Sequence, residues 1–511
     1  MGMLGKVASV GALTLISRIL GFIRDMLTAA ILGAGPVADA FFVAFRLPNH
    51  FRSLFAEGAF NAAFVPMFSA LLVREGKDPA RAFAERVNAI LLVSQLVLLV
   101  IFVIAMPWFM YVFAPGFSDQ PTKFELAVLF TRITFPYLLF IALVSLLGGV
   151  LNSIGRFWAA AAAPILLNLC LIAALVFLTP VLPTAGHALA WGVFAAGIAQ
   201  FIFLAVESWR AGYWLRFTWP RWTPQVRQFL RLLGTASIGA GIVQISLFFD
   251  TLIASFLPTG SVSYLYYADR INQLPLGVIG IAIGTVLLPE LSRHVSRNDG
   301  AAALWSQNRA MELSLLLTLP AAAAFVAIAQ PIIAALFQRG AFGPADTQAC
   351  AATLVAYAMG LPAFVLQKSL IPGFYARGDT ATPVKVAAAT VAANIGLKLV
   401  LVFPFAQVGL AAATSAAAWL NIALLYSILR RRGLFAFDER LSRNGPRIIL
   451  ATGLMAAALV FCRLAAASSF DQSHSAGRLF YLALLVGVGL FAFFAPALCF
   501  GLAKRGRPAR A

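Results

Sequence analysis

Fourteen stretches of this 511-residue chain are long and apolar enough to cross a bilayer, and no water-soluble fold can use that pattern. A spanning helix needs about 20 mostly apolar residues. Such stretches run near 7–32, 36–73, 87–112, 124–151, 157–179, 187–209, 232–257, 261–292, 310–336, 346–376, 386–404, 408–429, 448–462 and 479–503. The second, eighth and tenth are over-long. Pro48, Pro275, Pro289, Pro362 and Pro372 are expected to kink or break them. Composition agrees. Hydrophobic residues make up 61% and charged residues 11%, against roughly 45–50% and 25% in soluble domains. A soluble protein of this size would lack the polar side chains to cover its surface. The fold class is therefore all-α and polytopic, with about 14 transmembrane helices.

The net charge of +19 would suggest nucleic acid in a soluble protein. Here it sorts by side. With these spans, alternate connections and both termini hold 26 Lys and Arg, and the opposite connections hold four. The positive-inside rule places both termini in the cytoplasm. Nucleic acid is not expected as a partner. Arg18 and Arg24 interrupt the first apolar stretch, which signal-peptide cores do not tolerate, so it reads as a retained first helix.

Eight basic residues remain inside the spans, among them Arg18, Arg24, Arg46, Arg52, Arg270 and Lys398. An arginine at the bilayer centre costs about 2.5–3.5 kcal/mol on insertion scales. These side chains must face a wet cavity, pair with acids or snorkel to an interface. Arg18 and Asp25 share a helical face, as do Asp39 and Arg46. Tyr266, Arg270 and Gln273 form one polar stripe. Each arginine could be held by an acid merely to lock helices together. For the whole cluster that reading is weaker, because basic groups outnumber nearby acids. A surplus of guanidinium groups suits an anion, best a diphosphate, which arginine grips in a bidentate fork. Asp250, Asn394 and Lys398 form a separate set. A buried ion pair is its plainer reading, and a coupling-ion or proton site the sharper one.

No nucleotide-binding G-x-x-x-x-G-K-[ST] motif occurs, so ATP hydrolysis is not expected. The four Cys and four His lack metal-ligand spacing. No catalytic residues, metal or cofactor are predicted, and the chain does not read as an enzyme. A weak internal repeat, with an offset of 225 residues, aligns Asp25 and its following turn with Asp250 and its turn. It suggests that helices 1–6 and 7–12 are repeats of the same orientation, with two helices added.

Ser17-Arg18-Ile19-Leu20-Gly21-Phe22-Ile23-Arg24-Asp25 resembles the opening motif of the MurJ (MviN) family of lipid II flippases. So does Asp39-Ala40-Phe41-Phe42-Val43-Ala44-Phe45-Arg46-Leu47-Pro48-Asn49, followed by Arg52 and Phe55-Ala56-Glu57-Gly58-Ala59-Phe60. Tyr266-Tyr267-Ala268-Asp269-Arg270 and Pro372-Gly373-Phe374-Tyr375-Ala376-Arg377 match later family segments. The resemblance implies the fold of the multidrug/oligosaccharidyl-lipid/polysaccharide exporter superfamily. Two six-helix lobes, 1–210 and 224–432, would surround a central cavity. Helices 13 and 14, in 445–504, would form a lipid-tail groove. The implied substrate is lipid II, the undecaprenyl-diphosphate-linked peptidoglycan precursor, moved from the cytoplasmic to the periplasmic leaflet of the bacterial inner membrane. Arg18, Arg24, Arg52 and Arg270 stand at the family's cavity positions, with Asp39 as an acidic partner and Arg46, Glu57 and Asp269 as weaker carry-overs. Membrane lipids and cell-wall synthesis proteins are the other partners implied. Two rivals from the same superfamily are a flippase for another polyprenyl-diphosphate oligosaccharide and a multidrug or cation antiporter. A cation carrier should show surplus acids rather than arginines.

Overall fold

The computed structural model describes residues 3–52, 58–466 and 474–502, and it is helical, with no strand among the described residues. The chain separates into two compact units, Met1–Ser263 and Tyr264–Ala511. The first holds α1 (Met3–Leu32), α2 (Pro36–Arg52), α3 (Gly58–Arg74), α4 (Lys77–Phe113), α5 (Pro121–Thr134), α6 (Tyr137–Ser153), α7 (Phe157–Ala173), α8 (Ala185–Arg210) and α9 (Pro224–Ser255). After the helix α10 (Ser261–Pro275), the second holds α11 (Ile281–Ser296), α12 (Gly300–Ala327), α13 (Ala329–Phe337), α14 (Pro344–Ala358), α15 (Leu361–Tyr375), α16 (Ala381–Arg431), α17 (Glu439–Ala466) and α18 (Ser475–Cys499).

Among the described residues, ten helical stretches are long and apolar enough to cross a membrane by themselves. With the shorter apolar helices they are consistent with the fourteen apolar stretches of the sequence. The protein is a multi-pass membrane protein. Two of the three over-long stretches are interrupted; the second runs over 53–57, outside the described residues, and Pro48 stays inside α2. The eighth opens into a wide turn over Leu276–Gly280, directly after Pro275, and the tenth breaks between α14 and α15, just before Pro362. Pro289 and Pro372 stay inside α11 and α15. The 51-residue α16 reverses at Ala406, whose φ of 47° and ψ of −128° suit glycine better than alanine. That bend separates the stretches read as 386–404 and 408–429.

Aromatic packing holds the first unit together. Phe60, Phe64 and Phe68 recur every four residues on α3 and stack at 5.3 and 5.5 Å. Phe83 of α4 stacks on Phe64 at 5.7 Å, and Phe229 of α9 meets Phe64 edge-on. A Cβ on Gly149 of α6 would lie 2.9 Å from the Phe64 ring, so only glycine lets that helix approach.

Prolines in these helices leave carbonyls without a donor, and hydrocarbon offers no water to replace it. Neighbouring side chains supply the bond. Pro48 cannot donate to Ala44, and the Thr134 hydroxyl of α5 donates to that oxygen at 3.2 Å. Pro107 leaves Val103 open, and Arg132 Nε donates to it at 3.0 Å. A third carbonyl opens where a helix ends: Ala327 is the last residue of α12, and Arg463 Nη1 donates to its oxygen at 2.9 Å. Arg132, a membrane arginine with no assigned role in the sequence, is thereby explained. Thr134→Val should cost about 1–3 kcal/mol by orphaning a buried carbonyl. In a Pro48→Ala background, where the backbone amide regained at that position can donate, the same change should cost much less; thermal unfolding in detergent measures both.

Candidate functional site

The polar residues of the first unit fall into three groups. At the first, Arg24 and Asp25 are buried side by side on α1. Arg24 donates Nε and Nη2 to Asp25 Oδ1 at 3.1 and 2.7 Å, and Nη1 to Asn168 Oδ1 of α7 at 3.0 Å. Asn168 in turn donates to the Ser17 carbonyl at 2.9 Å. A Cβ on Gly21 would reach the Asn168 amide at 3.4 Å, in van der Waals contact, so that bridge passes directly over a small residue of the arginine motif. The guanidinium plane is therefore fixed by one carboxylate and one amide.

The second group joins α2 and α9. His50 Nδ1 lies 2.9 Å from Gln244 Oε1. A carboxamide oxygen only accepts, so this nitrogen carries the proton. Arg46, one turn before His50, and Asp250 both act electrostatically on the ring. Arg52 donates Nε to Asn49 Oδ1 at 3.1 Å. Arg18 and Arg46 form no ion pair with a carboxylate among the described residues. Glu57 lies outside the described residues.

Asp39 makes the third group. It is fully buried and accepts from Lys123 Nζ at 3.0 Å, Gly260 N at 2.7 Å, Ser263 N at 3.0 Å and Ser263 Oγ at 2.7 Å. Lys123 Nζ also lies 4.2 Å from the Phe117 ring centroid. Two same-face pairings in the sequence are thus not ion pairs in the structure. Asp25 binds Arg24 rather than Arg18, and Asp39 binds Lys123 rather than Arg46. Asn168, Lys123, Ser263 and Gln244 had no motif to announce them; only long-range packing brings them in.

In the second unit the stripe on α10 forms as the spacing predicts. Arg270 Nη2 donates to Tyr266 Oη at 3.1 Å, and its guanidinium lies 4.8 Å from that ring's centroid. Gln273 donates to Asp269. Asn394 and Lys398 are buried on the first half of α16, and Lys398 is only 1% exposed. Asn421, from the returning half, donates to Thr390 Oγ1 at 3.0 Å, one turn from Asn394. Asp250 lies in the other unit. Between α17 and α18 an apolar groove of about 740 Å³ is lined by Leu454, Ala458, Leu484, Gly487, Phe491 and Pro496. Among the described residues no group of His, Cys, Asp and Glu could hold a metal.

Asp39 and Lys123 form a buried pair that can be tested alone. Lys123→Met should destabilise the protein by about 3–5 kcal/mol by stranding the carboxylate. Adding Asp39→Asn should restore much of it, as read from the unfolding temperature in detergent.

The family described as Lipid II flippase MurJ matches residues 28–481. A probable lipid II flippase MurJ of Rhizobium meliloti is 47% identical over 463 residues, covering 90% of this chain and 86% of its own length. A second, from Vibrio cholerae serotype O1, is 38% identical over 502 residues and covers 96% and 95%. A solved structure, a lipid II flippase MurJ in an inward closed conformation, superposes with a TM-score of 0.81 at 24% identity, covering 97% of this chain and 99% of its own, and shows the fold. The chain belongs to the MurJ family.

Proposed function

We propose that this member of the family carries lipid II from the cytoplasmic to the periplasmic leaflet of the bacterial inner membrane by alternating access, with both termini in the cytoplasm. The observation that carries the reading is the 47% identity to a flippase relative over 90% of the chain. Physics supports the substrate class. A headgroup with a diphosphate needs cationic donors inside the bilayer, while a polyprenyl chain can stay in hydrocarbon.

Arg18, Arg24, Arg46, Arg52 and Arg270 are the proposed diphosphate-binding groups. Arg24 presents a guanidinium already oriented by Asp25 and Asn168. Arg18 and Arg46 supply charge that no described carboxylate offsets. Tyr266 orients Arg270, and Asp269 with Gln273 completes the polar stripe beside it. Asp39 acts one step removed, by holding the turn before α10 against α2. Glu57 joins this set by its place in the motif. The groove between α17 and α18 takes the polyprenyl tail. An inside-negative potential favours outward movement of an anion by about 2.3 kcal/mol per charge per 100 mV, so direction needs no ATP. Asp250, Asn394 and Lys398 are the candidates for coupling to an ion or a proton.

The test is reconstitution in liposomes with labelled lipid II, with and without an imposed potential. Arg24→Ala or Arg270→Ala should lower translocation at least tenfold at unchanged protein levels, about 1.4 kcal/mol or more in transition-state terms. Normal flipping by both variants would contradict the assignment. A Cβ on Gly487 would meet no atom within 4 Å. Gly487→Leu therefore narrows the groove without a backbone clash. It should slow transport of the full-length polyprenyl substrate more than that of a short-chain analogue, and equal slowing of the two would remove the groove from the pathway.

A further inference from the structure

Four of the nine tryptophans fall within fourteen residues, Trp209 at the end of α8 and Trp214, Trp219 and Trp222 in the connection that follows. Together with Phe217 they are 55–79% exposed. From Ser208 to Phe249 the chain has no Asp or Glu, while Arg210, Arg216, Arg221, Arg227 and Arg231 fall in it. Arg210 is bonded to Glu207. The other four are exposed and form no ion pair among the described residues.

The connection is built, not slack. Gly212 turns the chain at a φ of 80°, and Ser208 Oγ donates to the Tyr213 carbonyl at 2.6 Å. Tyr213 is buried against the α3–α4 aromatic cluster, with Leu215 packed beside it. Trp214 and Arg216, on either side of the packed Leu215, are exposed. The Arg216 amide donates to Glu85 Oε1 at 3.1 Å, and Thr223 Oγ1 accepts from the Val226 amide at 3.3 Å to start α9. The strap is thus pinned at 208, 213, 216 and 223.

Two solvents are excluded for its outer face. Hydrocarbon fails, because the amides of Trp214, Phe217, Trp219 and Trp222 have no partner among the described residues and the arginines are charged. Bulk water alone would leave five large aromatic side chains exposed within fourteen residues of chain. A headgroup layer satisfies both. Indole rings settle there, and guanidinium groups take phosphate oxygens.

We propose that this strap is a docking surface for anionic phospholipid headgroups, with Arg216, Arg221 and Arg227 holding the phosphates and Trp214, Trp219 and Trp222 seated among the glycerol backbones. The strap needs only a membrane protein and an anionic leaflet, so it stands or falls separately from the transport reading.

The test uses the full chain in nanodiscs of phosphatidylcholine with a minor fraction of phosphatidylglycerol. The measurement is the phosphatidylglycerol retained per protein after detergent exchange. Each arginine near an anionic surface is worth about a fivefold preference. The Arg216→Gln/Arg221→Gln/Arg227→Gln variant should therefore lose most of the preference. A variant with the same charge change elsewhere, Arg430→Gln/Arg431→Gln/Arg443→Gln, should keep most of it. Equal losses in the two variants, or no loss in the first, would overturn the proposal. So would a strap that selects a diphosphate lipid and ignores phosphatidylglycerol. A fluorescence arm on the unaltered chain decides the matter if the variant folds poorly. Brominated phosphatidylglycerol should quench more than brominated phosphatidylcholine, and the Trp219→Phe/Trp222→Phe chain should lose that difference. Equal quenching by both lipids in the unaltered chain would refute it.

Discussion

The structure depends on one constraint: inside hydrocarbon, a polar group has only the protein to bond with. Two carbonyls freed by proline and one at a helix end show how closely it is obeyed. Each is claimed by a side chain from a different helix, and in two cases by an arginine. The same constraint governs Asp39, which gathers two backbone amides, a hydroxyl and an ammonium around one carboxylate. Helices broken by proline would be weak points in an isolated span. In this chain each of these three open carbonyls is a point of attachment between helices.

That attachment changes the charge account of the first two helices. The sequence sets Asp25 and Asp39 against four arginines. In the structure Asp25 offsets Arg24, and Asp39 is taken up by Lys123, a basic residue from α5 that sequence spacing places in an outer connection. Asp39 is therefore unavailable to the arginines of α1 and α2. The cationic surplus near α1 and α2 is larger than residue spacing alone implies, and Arg18 and Arg46 carry it.

What the sequence made legible follows from range. The all-helical, multi-pass class, the interruptions near Pro275 and Pro362, and the Tyr266–Arg270 contact depend on residues within a few turns of each other, and these appear where periodicity puts them. Partners such as Asn168 for Arg24 or Gln244 for His50 are 144 and 194 residues away in the chain. No local pattern distinguishes these amides from others in the spans. Gly21 is the nearest thing to a signal: it lies against the Asn168 amide, and it sits inside the motif that carries the family resemblance.

The internal repeat is clearer in the elements than in the letters. α5 begins at Pro121 and α14 at Pro344, 223 residues apart; α7 begins at Phe157 and α16 at Ala381, 224 apart. α4 and α12 begin at Lys77 and Gly300, again 223 apart. A polar pair repeats as well, with its chemistry exchanged and its second copy only half-buried. In the first half, Asp39 of α2 meets Lys123, the third residue of α5. In the second, Tyr264 of α10, 225 residues after Asp39, donates at 2.7 Å to Asp346, the third residue of α14. One half uses a carboxylate and an ammonium where the other uses a phenol and a carboxylate. A repeat that keeps the position of a polar bond while replacing both partners keeps a satisfied pair between the same two helices and leaves the residue types free to diverge. That divergence is why so regular an architecture leaves only a faint trace in the sequence.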